Sequence, residues 1–360
     1  MEKSFRNKTK VKVPKFHKNL KTNTEDKILD YCREKDSIAI FVSGAPYGAT
    51  GGSQRPQQIA EGLAKKGYGC IHLAHLNGNS LKNIGDNKIG VLNVNDIETI
   101  MQHCSDIKNK IFYSAFPEKF SYRIYKILPN WFKIYDCVDE WSNFESAKCW
   151  FKTEYEKYLA SQSDLVLGTA RSLSDKFING RFLPNSTKVD VTGRNWSAQR
   201  NIDLTFVGFL NEEWIAFNIF RLLSKKYTIR IIGDPPNDAR KFKSDNVEWS
   251  GKKDVSEIVR LMSEAKVGII PFKDQPLVHA VNPIKMFDYL AAGLPTVARY
   301  MPEVPKTIKY GYSCNSTQQF FDTIDWCLKN KWNRKDILKE AENHTIDKRI
   351  EVLMQWIPSI

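Results

Sequence analysis

Lys285 and Asp288 stand three residues apart in the stretch Val281–Val297, just behind Asn282 and Pro283. That spacing puts an ammonium and a carboxylate on one face of a helix, near its start. Pro283 suits a first helical turn, where a missing N–H costs nothing. Free backbone N–H groups gather at such a start and favour a phosphate. Lys285 adds a point charge for a diphosphate, and Asp288 can accept hydrogen bonds from ribose hydroxyls. A Gly293-Leu294-Pro295 turn then leads into an apolar strand. A nucleotide diphosphate sugar needs these groups together. The same residues also fit an ordinary helix start with a capping Asn282 and a solvated Lys285.

Further candidates surround this stretch. His279 precedes the helix and can reach a diphosphate or sugar, or stay a surface-loop histidine. Arg299, at the end of the following strand, is a candidate phosphate partner. Asp136 and Asp139 close an earlier strand, Lys133–Val138, and alternation places them on opposite faces. Asp139 is nearer the strand end, where it can orient an acceptor hydroxyl, act as general base, or cap a loop. Glu140 is a weaker candidate. The loop Gly44–Ser53 follows one strand and precedes a helix, and Gly51 and Gly52 let backbone approach a phosphate or sugar. No dinucleotide fingerprint or Walker motif occurs. No Asp-x-Asp occurs either, so Lys285 and the helix start are expected to neutralise a diphosphate without a metal or other cofactor.

Two series of α/β elements position these residues. The first has strands at Ser37–Ser43, Gly69–Leu73, Gly90–Val94, Lys110–Ser114, Lys133–Val138 and Asp164–Gly168, with helices at Thr24–Lys35, Gln54–Lys66 and about Ala147–Ser161. Arg181–Asn185 closes it. After a polar linker, Ser186–Asn201, the second has strands at Ile202–Gly208, Tyr227–Ile232, Val247–Gly251, Val267–Phe272 and Thr296–Ala298. Its helices are Glu212–Leu223, Val255–Ala265 and the one carrying Lys285. Alternating strands and helices in two runs predict two Rossmann-like units facing across a cleft.

Several segments resemble the GT-B glycosyltransferases of family 4 type. Val281–Val297 is similar to the donor-site helix often written NPxKxxEYLAAGxPVV. Gln54–Ala60 resembles QRPQxLA, Tyr135–Trp141 resembles YDCVDDW, and Asn246–Gly251 resembles NVxxxG. Leu183–Asn185 matches LPNG with Ser186 in place of the glycine, and Met301–Val304 matches xPEV. The resemblance runs from about Ile38 to Val304. It implies an α/β GT-B fold with an acceptor domain at 28–186, a nucleotide-sugar domain at 187–335, and a helical segment at 336–360. It implies transfer of a sugar from a nucleotide diphosphate sugar to a glycan or lipid-linked acceptor in surface polysaccharide or glycoconjugate synthesis. It further implies retention of configuration, by front-face attack assisted by the leaving phosphate. Glu303 would lie near the donor. Two residues depart from the pattern: Asp288 replaces the usual Glu, and the paired acid eight positions earlier falls on Ala280. Should the enzyme invert, Asp139 is the base. A catalytically silent nucleotide-sugar-binding subunit is the alternative that these departures keep open.

At 360 residues the chain can bury two cores. It has no apolar run of transmembrane length and no signal-peptide pattern. Seven scattered cysteines without C-x-x-C read as reduced thiols of a cytosolic protein. The six histidines show no zinc spacing. Over half of the net charge of +13 lies in residues 1–21 of a tail, 1–27, where eight basic side chains stand against Glu2 alone. Such a tail suits an anionic membrane surface, which would make the protein peripheral on the inner face; a solvated, disordered leader has the same composition. Nucleic-acid binding is the rival from another class, but no recognition motif accompanies the charge.

Overall fold

The computed structural model describes residues 23–42, 47, 54–74, 80–84, 86–190, 199–208, 210, 213–234 and 244–358. Gly51 and Gly52 of the glycine loop, and the basic tail to residue 21, lie outside the described residues.

The first domain opens with α1 (Asn23–Arg33), β1 (Ser37–Val42), α2 (Arg55–Lys65), β2 (Gly69–Ala74), β3 (Ser80–Ile84) and β4 (Asn87–Asn93). It continues with α3 (Ile97–His103), β5 (Asn109–Ser114), α4 (Lys119–Ile127) and β6 (Phe132–Cys137). It closes with α5 (Thr153–Gln162), β7 (Leu165–Gly168), α6 (Arg171–Ser174) and β8 (Gly180–Phe182). Its eight strands form one sheet in the order β3-β4-β2-β1-β5-β6-β7-β8. Only β3 runs antiparallel, as the edge of a hairpin with β4. The run Ile38–Val42 is wholly buried because a central parallel strand is covered on both faces.

The second domain contains β9 (Ile202–Val207), α7 (Phe217–Leu223), β10 (Ile229–Ile232), β11 (Val247–Gly251), α8 (Val255–Ser263) and β12 (Ala265–Ile270). Then come α9 (Pro276–His279), α10 (Ile284–Ala291), β13 (Thr296–Arg299), α11 (Glu303–Thr307), β14 (Gly311–Cys314), α12 (Thr317–Lys329) and α13 (Arg334–Glu342). Its six-stranded parallel sheet has the order β11-β10-β9-β12-β13-β14. The helix expected from Glu212 begins only at Phe217. The helix carrying Lys285 is α10, and the buried Tyr289 hydroxyl stitches it to the sheet: it accepts from the Val207 N–H and donates to the Ile269 carbonyl, each at 3.1 Å. Gly293, at φ 71°, ends α10 in the left-handed region, and the Leu294 N–H closes back on the Tyr289 carbonyl at 2.9 Å.

The last helix, α14 (Ile346–Trp356), leaves the second domain and packs on α2 of the first. Ile350 and Leu353 are buried there in one core with Ile59, Leu63 and Leu167. The expected boundary at 335/336 therefore falls inside α13, which stays with the second domain against α10. The boundary at 27/28 falls inside α1, whose Ile28, Leu29 and Cys32 join the first domain's other core. The chain thus crosses between domains twice, at residues 184–187 and near 344–346. No described helix is long and apolar enough to cross a membrane, and the seven cysteines are free.

Leu353 is fully buried at the docking face of α14. Leu353→Ala is expected to lower unfolding free energy by about 2–5 kcal/mol. Chemical denaturation at fixed pH measures it; a loss well under 1 kcal/mol would mean that α14 is only loosely held.

Candidate active site

A cavity of about 540 Å³ lies between the domains, at the C-terminal ends of both sheets. The first domain contributes Gln54, Arg55, Phe116, Asp139 and Trp141, and the inter-domain crossing contributes Asn185. The second domain supplies Trp214, Phe272, Asn282, Pro283, Ile284 and Lys285. In open α/β sheets, ligands bind at this end of the strands.

Lys285 follows directly on the N-terminal residue of α10. Its ammonium lies 4.7 Å from the Phe206 ring centroid and 4.9 Å from that of Phe272. Gly208, at φ 128°, ends the strand Phe206 belongs to; a Cβ there would come within 3.3 Å of the Lys285 Nζ. The ammonium makes no hydrogen bond or ion pair among the described residues. Burial draws it down to about 8, against the upward pull of Asp288. A cation held beside two rings, with no carboxylate in direct contact, is suited to an anionic ligand.

Asp139 lies just beyond β6 in the cavity wall, while Asp136, three residues earlier, points into the first domain. Asp136 is fully buried and is bound by the Arg55 guanidinium and the Tyr113 hydroxyl. The opposite orientation expected from alternation is what the structure shows. Burial alone pushes the Asp139 carboxyl up to about 7. Glu140 turns away and pairs with Lys176 at 2.9 Å.

The structure separates the other expected residues. Asn282 lines the cavity but is tied to the crossing: its Oδ1 accepts from the Asn185 N–H at 3.0 Å, and its Nδ2 donates to Thr307 at 3.2 Å. Asp288 sits one turn behind Lys285 and accepts from the Thr187 hydroxyl at 2.8 Å, so the crossing occupies one of its two carboxylate oxygens. Burial pushes this carboxyl up to about 6, opposed by the Thr187 bond and by Lys285. His279 does not line the cavity; its ring is half-exposed and bonds Asp274 at 3.1 Å. Arg299 is buried and spent on the Phe272 carbonyl at 3.1 Å and the Thr317 hydroxyl at 3.2 Å, so it is not a free phosphate partner here. Glu303 is 2% exposed and accepts from the Arg171 N–H at 3.1 Å, capping a helix of the first domain instead of facing the cavity.

Sequence reading missed Arg55, Asn185 and the aromatic wall of Phe116, Trp141, Trp214 and Phe272. The signal for Arg55, Trp141 and Asn185 was present, since each lies inside a segment already singled out. Phe116 and Trp214 carry no local signal. Among the described residues, no three His, Cys, Asp or Glu side chains gather as a metal site.

Residues 201–330 match the profile described as glycosyl transferases group 1. A Bacillus subtilis (strain 168) protein, TuaH, assigned by name to teichuronic acid biosynthesis as a glycosyltransferase, is 26% identical over 229 residues. That match covers 54% of this chain and 57% of the relative, so the chain spans little more than half the relative's length. Among solved structures, Anabaena HepE in complex with UDP superposes with a TM-score of 0.66 at 10% identity, over 90% of this chain and all (100%) of HepE. WaaG, a glycosyltransferase involved in lipopolysaccharide biosynthesis, superposes with a TM-score of 0.59 at 13% identity, over 89% of this chain and 100% of WaaG. The two-domain architecture is shared with both.

The raised Asp139 carboxyl gives a test of the site's desolvation. The folded state holds this proton to about pH 7, whereas an unfolded aspartate releases it near pH ~4. Between those values the folded state binds more protons, so stability falls as pH rises through the window. Asp139→Asn removes that loss. Its melting temperature relative to wild type is expected to rise from pH 4 to pH 8; a flat difference would show that Asp139 ionises like a surface aspartate.

Proposed function

We propose that this chain, which belongs to the GT-B glycosyltransferases by its fold and its group 1 domain, moves a sugar from a nucleotide diphosphate sugar to a glycan or lipid-linked acceptor. The observation that carries the reading is the unpaired Lys285 ammonium at the start of α10, beside the inter-domain cavity. Charge builds on the diphosphate as the glycosidic bond breaks. A fixed cation in a partly desolvated site stabilises that charge without reorganising. Burial has already drawn Lys285 towards neutrality, so an arriving dianion strengthens its protonation as it binds. UDP is the nucleotide to try first, because HepE was crystallised with it. The teichuronic acid assignment of TuaH supports a surface polysaccharide as the product class.

Retention of anomeric configuration is part of the proposal. With no carboxylate at Ala280, the leaving diphosphate itself steers the acceptor hydroxyl on the front face. Asp139, whose carboxyl is raised to about 7, is matched to general-base work near neutrality. It would take that role if NMR of the product showed inversion. Catalytic turnover on any bound donor separates an enzyme from a silent binding subunit.

Lys285→Ala is expected to weaken UDP binding by about 1.5–3 kcal/mol, the worth of a charge-assisted contact. Isothermal titration measures it, and an unchanged affinity would remove Lys285 from the site. Turnover is expected to continue in excess EDTA, because Lys285 and the helix start take the place of a metal. Complete loss that magnesium or manganese restores would overturn this.

We also propose that residues 1–21, with eight basic side chains, hold the protein reversibly on anionic lipid at the inner face of the membrane. At roughly 1 kcal/mol per basic residue near the surface, such docking is salt-sensitive. Liposome co-sedimentation of the full chain and a tail-deleted chain, at low and high salt, tests it. Equal sedimentation of both forms would show a leader without a docking role.

A further inference from the structure

Thr187 is fully buried on the inter-domain crossing, and both capacities of its hydroxyl are in use. The hydroxyl donates its one proton to Asp288 Oδ1 at 2.8 Å and accepts from the Val189 N–H at 3.0 Å. Its backbone is held by the second passage of the chain, at His344 and Ile346. Neither end of the bond to Asp288 is free to drift. Thr187 is pinned by the two passages, and Asp288 by a helix stitched to its sheet through Tyr289. Among the described residues this is the one side-chain hydrogen bond that Asp288 makes.

Lys285 and Asp288 share one face of α10, a turn apart, close enough for charge to act between them without direct contact. Burial raises the Asp288 carboxyl, and the bond from Thr187 is the larger of the two effects that oppose it. Burial likewise lowers the Lys285 ammonium, and the Asp288 charge opposes that. The two effects run in series from the crossing to the cavity wall. Elements packed around α10 bring other charges, already bonded elsewhere. Arg334 donates to the Ala292 carbonyl at the far end of the helix, and Arg299 to the Phe272 carbonyl. Beside Phe287, Arg349 pairs with His344, and His344 with Glu340. Across the cavity, Arg55 is held by Asp136, which leaves Asp139 on that wall.

We propose that Thr187 is a positioning residue of the donor site: its hydroxyl fixes the Asp288 carboxylate one turn behind Lys285, and that carboxylate keeps the ammonium charged for an anionic ligand. The inference rests on the reading of Lys285 as the diphosphate's partner. It adds a part in donor binding for the inter-domain crossing, through a residue outside the cavity lining. Without the hydroxyl, the Asp288 carboxyl keeps its proton to a higher pH. Lys285 then loses its upward pull and gives up its own proton at a lower pH. A ligand that needs the ammonium binds below that pH and is lost above it. Deleting the hydroxyl therefore moves the alkaline loss of nucleotide affinity to lower pH.

The titration of Lys285 tests this coupling without any ligand. In the full chain with carbon-13 at lysine Cε, the Lys285 signal is identified by its absence from Lys285→Arg and followed by NMR from pH 6 to pH 10. Thr187→Val keeps the shape and deletes the hydroxyl. It is expected to lower the titration of Lys285 by on the order of one pH unit, the scale of charges a helical turn apart in a partly desolvated site. Thr187→Ser is expected to restore the wild-type value. Asp288→Asn is expected to reproduce the shift, and Thr187→Val added to it to cause no more. By isothermal titration, UDP affinity is expected to begin its alkaline fall earlier by the same interval in Thr187→Val. Should Thr187→Val not fold, Thr187→Cys, whose S–H is a weak donor, is expected to show the shift in smaller size. A Lys285 titration unmoved in the folded variant, or a shift that persists in the Asp288→Asn background, would overturn the role of Thr187. Failure of wild type to bind UDP, GDP, ADP and dTDP would instead remove the donor reading. A Lys285 shift measured without nucleotide would still uphold the coupling.

Discussion

The buried pair of Arg55 and Asp136 is the contact on which the rest of the cleft depends. Asp136 is fully buried, and it holds both the Arg55 guanidinium and the Tyr113 hydroxyl inside the first domain. Breaking such a pair by removing one partner strands a charge away from water, at a cost of about 3–5 kcal/mol. Oriented in this way, Arg55 donates through Nη1 to the Pro184 carbonyl at 3.0 Å, where the chain leaves the first domain. Arg349 of α14 donates to the same carbonyl at 3.1 Å and to that of Asn185 at 3.2 Å. The Arg349 guanidinium is drawn down to about 10, burial being the larger cause and Arg55, on the same carbonyl, the second. The next three residues each carry a tie. Asn185 binds Asn282, Ser186 binds Gln58 of α2 at 2.8 Å, and Thr187 binds Asp288. A glycine at 186 could not make the tie to α2.

Desolvation at this crossing and desolvation in the cavity act on opposite charges. The same burial that draws the Lys285 ammonium down to about 8 lifts the Asp139 carboxyl to about 7 and that of Asp288 to about 6. Each group is moved towards its neutral form, as expected where water is scarce. Were Lys285 to bind a diphosphate as proposed, that anion would reverse the shift on the ammonium, while the Asp139 carboxyl stands close to its midpoint at neutral pH.

The two α/β units, their strand positions and the helix of Lys285 were legible because each follows from local pattern: apolar runs of strand length, a proline at a helix start, a Gly-Leu-Pro stop. The β3 hairpin and the edge strand β14 were not, since Ser80–Ile84 and Gly311–Cys314 are short, largely polar edge strands with little apolar alternation to mark them. Nor was the return of α14, whose apolar face does not say which domain it covers. At the site, chemistry was legible and partnership was not. Glu303 has the right type for a ribose contact, but its partner, Arg171, is 132 residues away. Asp288 meets Thr187 across 101 residues, and Asn282 meets Asn185 across 97. The aromatic wall draws on four segments of chain, none of which carries a motif for it apart from the strand end at Trp141.

Where the chain crosses between domains, its two passages are bonded to each other. The Thr187 N–H donates to the His344 carbonyl at 3.0 Å, and the Ile346 N–H donates back to the Thr187 carbonyl at 3.2 Å, so Thr187 and Thr345 form a short parallel bridge. Arg349 closes the ribbon by donating to the Asn343 carbonyl and pairing with the His344 ring. A ribbon with internal bonds resists shear, because sliding one passage along the other breaks all of them at once. It resists rotation far less, because turning about its own axis leaves them intact. Contacts that span the domains away from the ribbon, among them Phe144 on Trp214, Leu277 in the cluster of Trp141 and Phe144, and Glu303 on the Arg171 N–H, are ones a rotation must break. Lys285 is insulated from that cost. It stands one turn from Asp288, and Asp288 is bonded to the ribbon itself. A rotation about the ribbon would therefore separate the aromatic wall while α10 stays tied to the axis through Asp288.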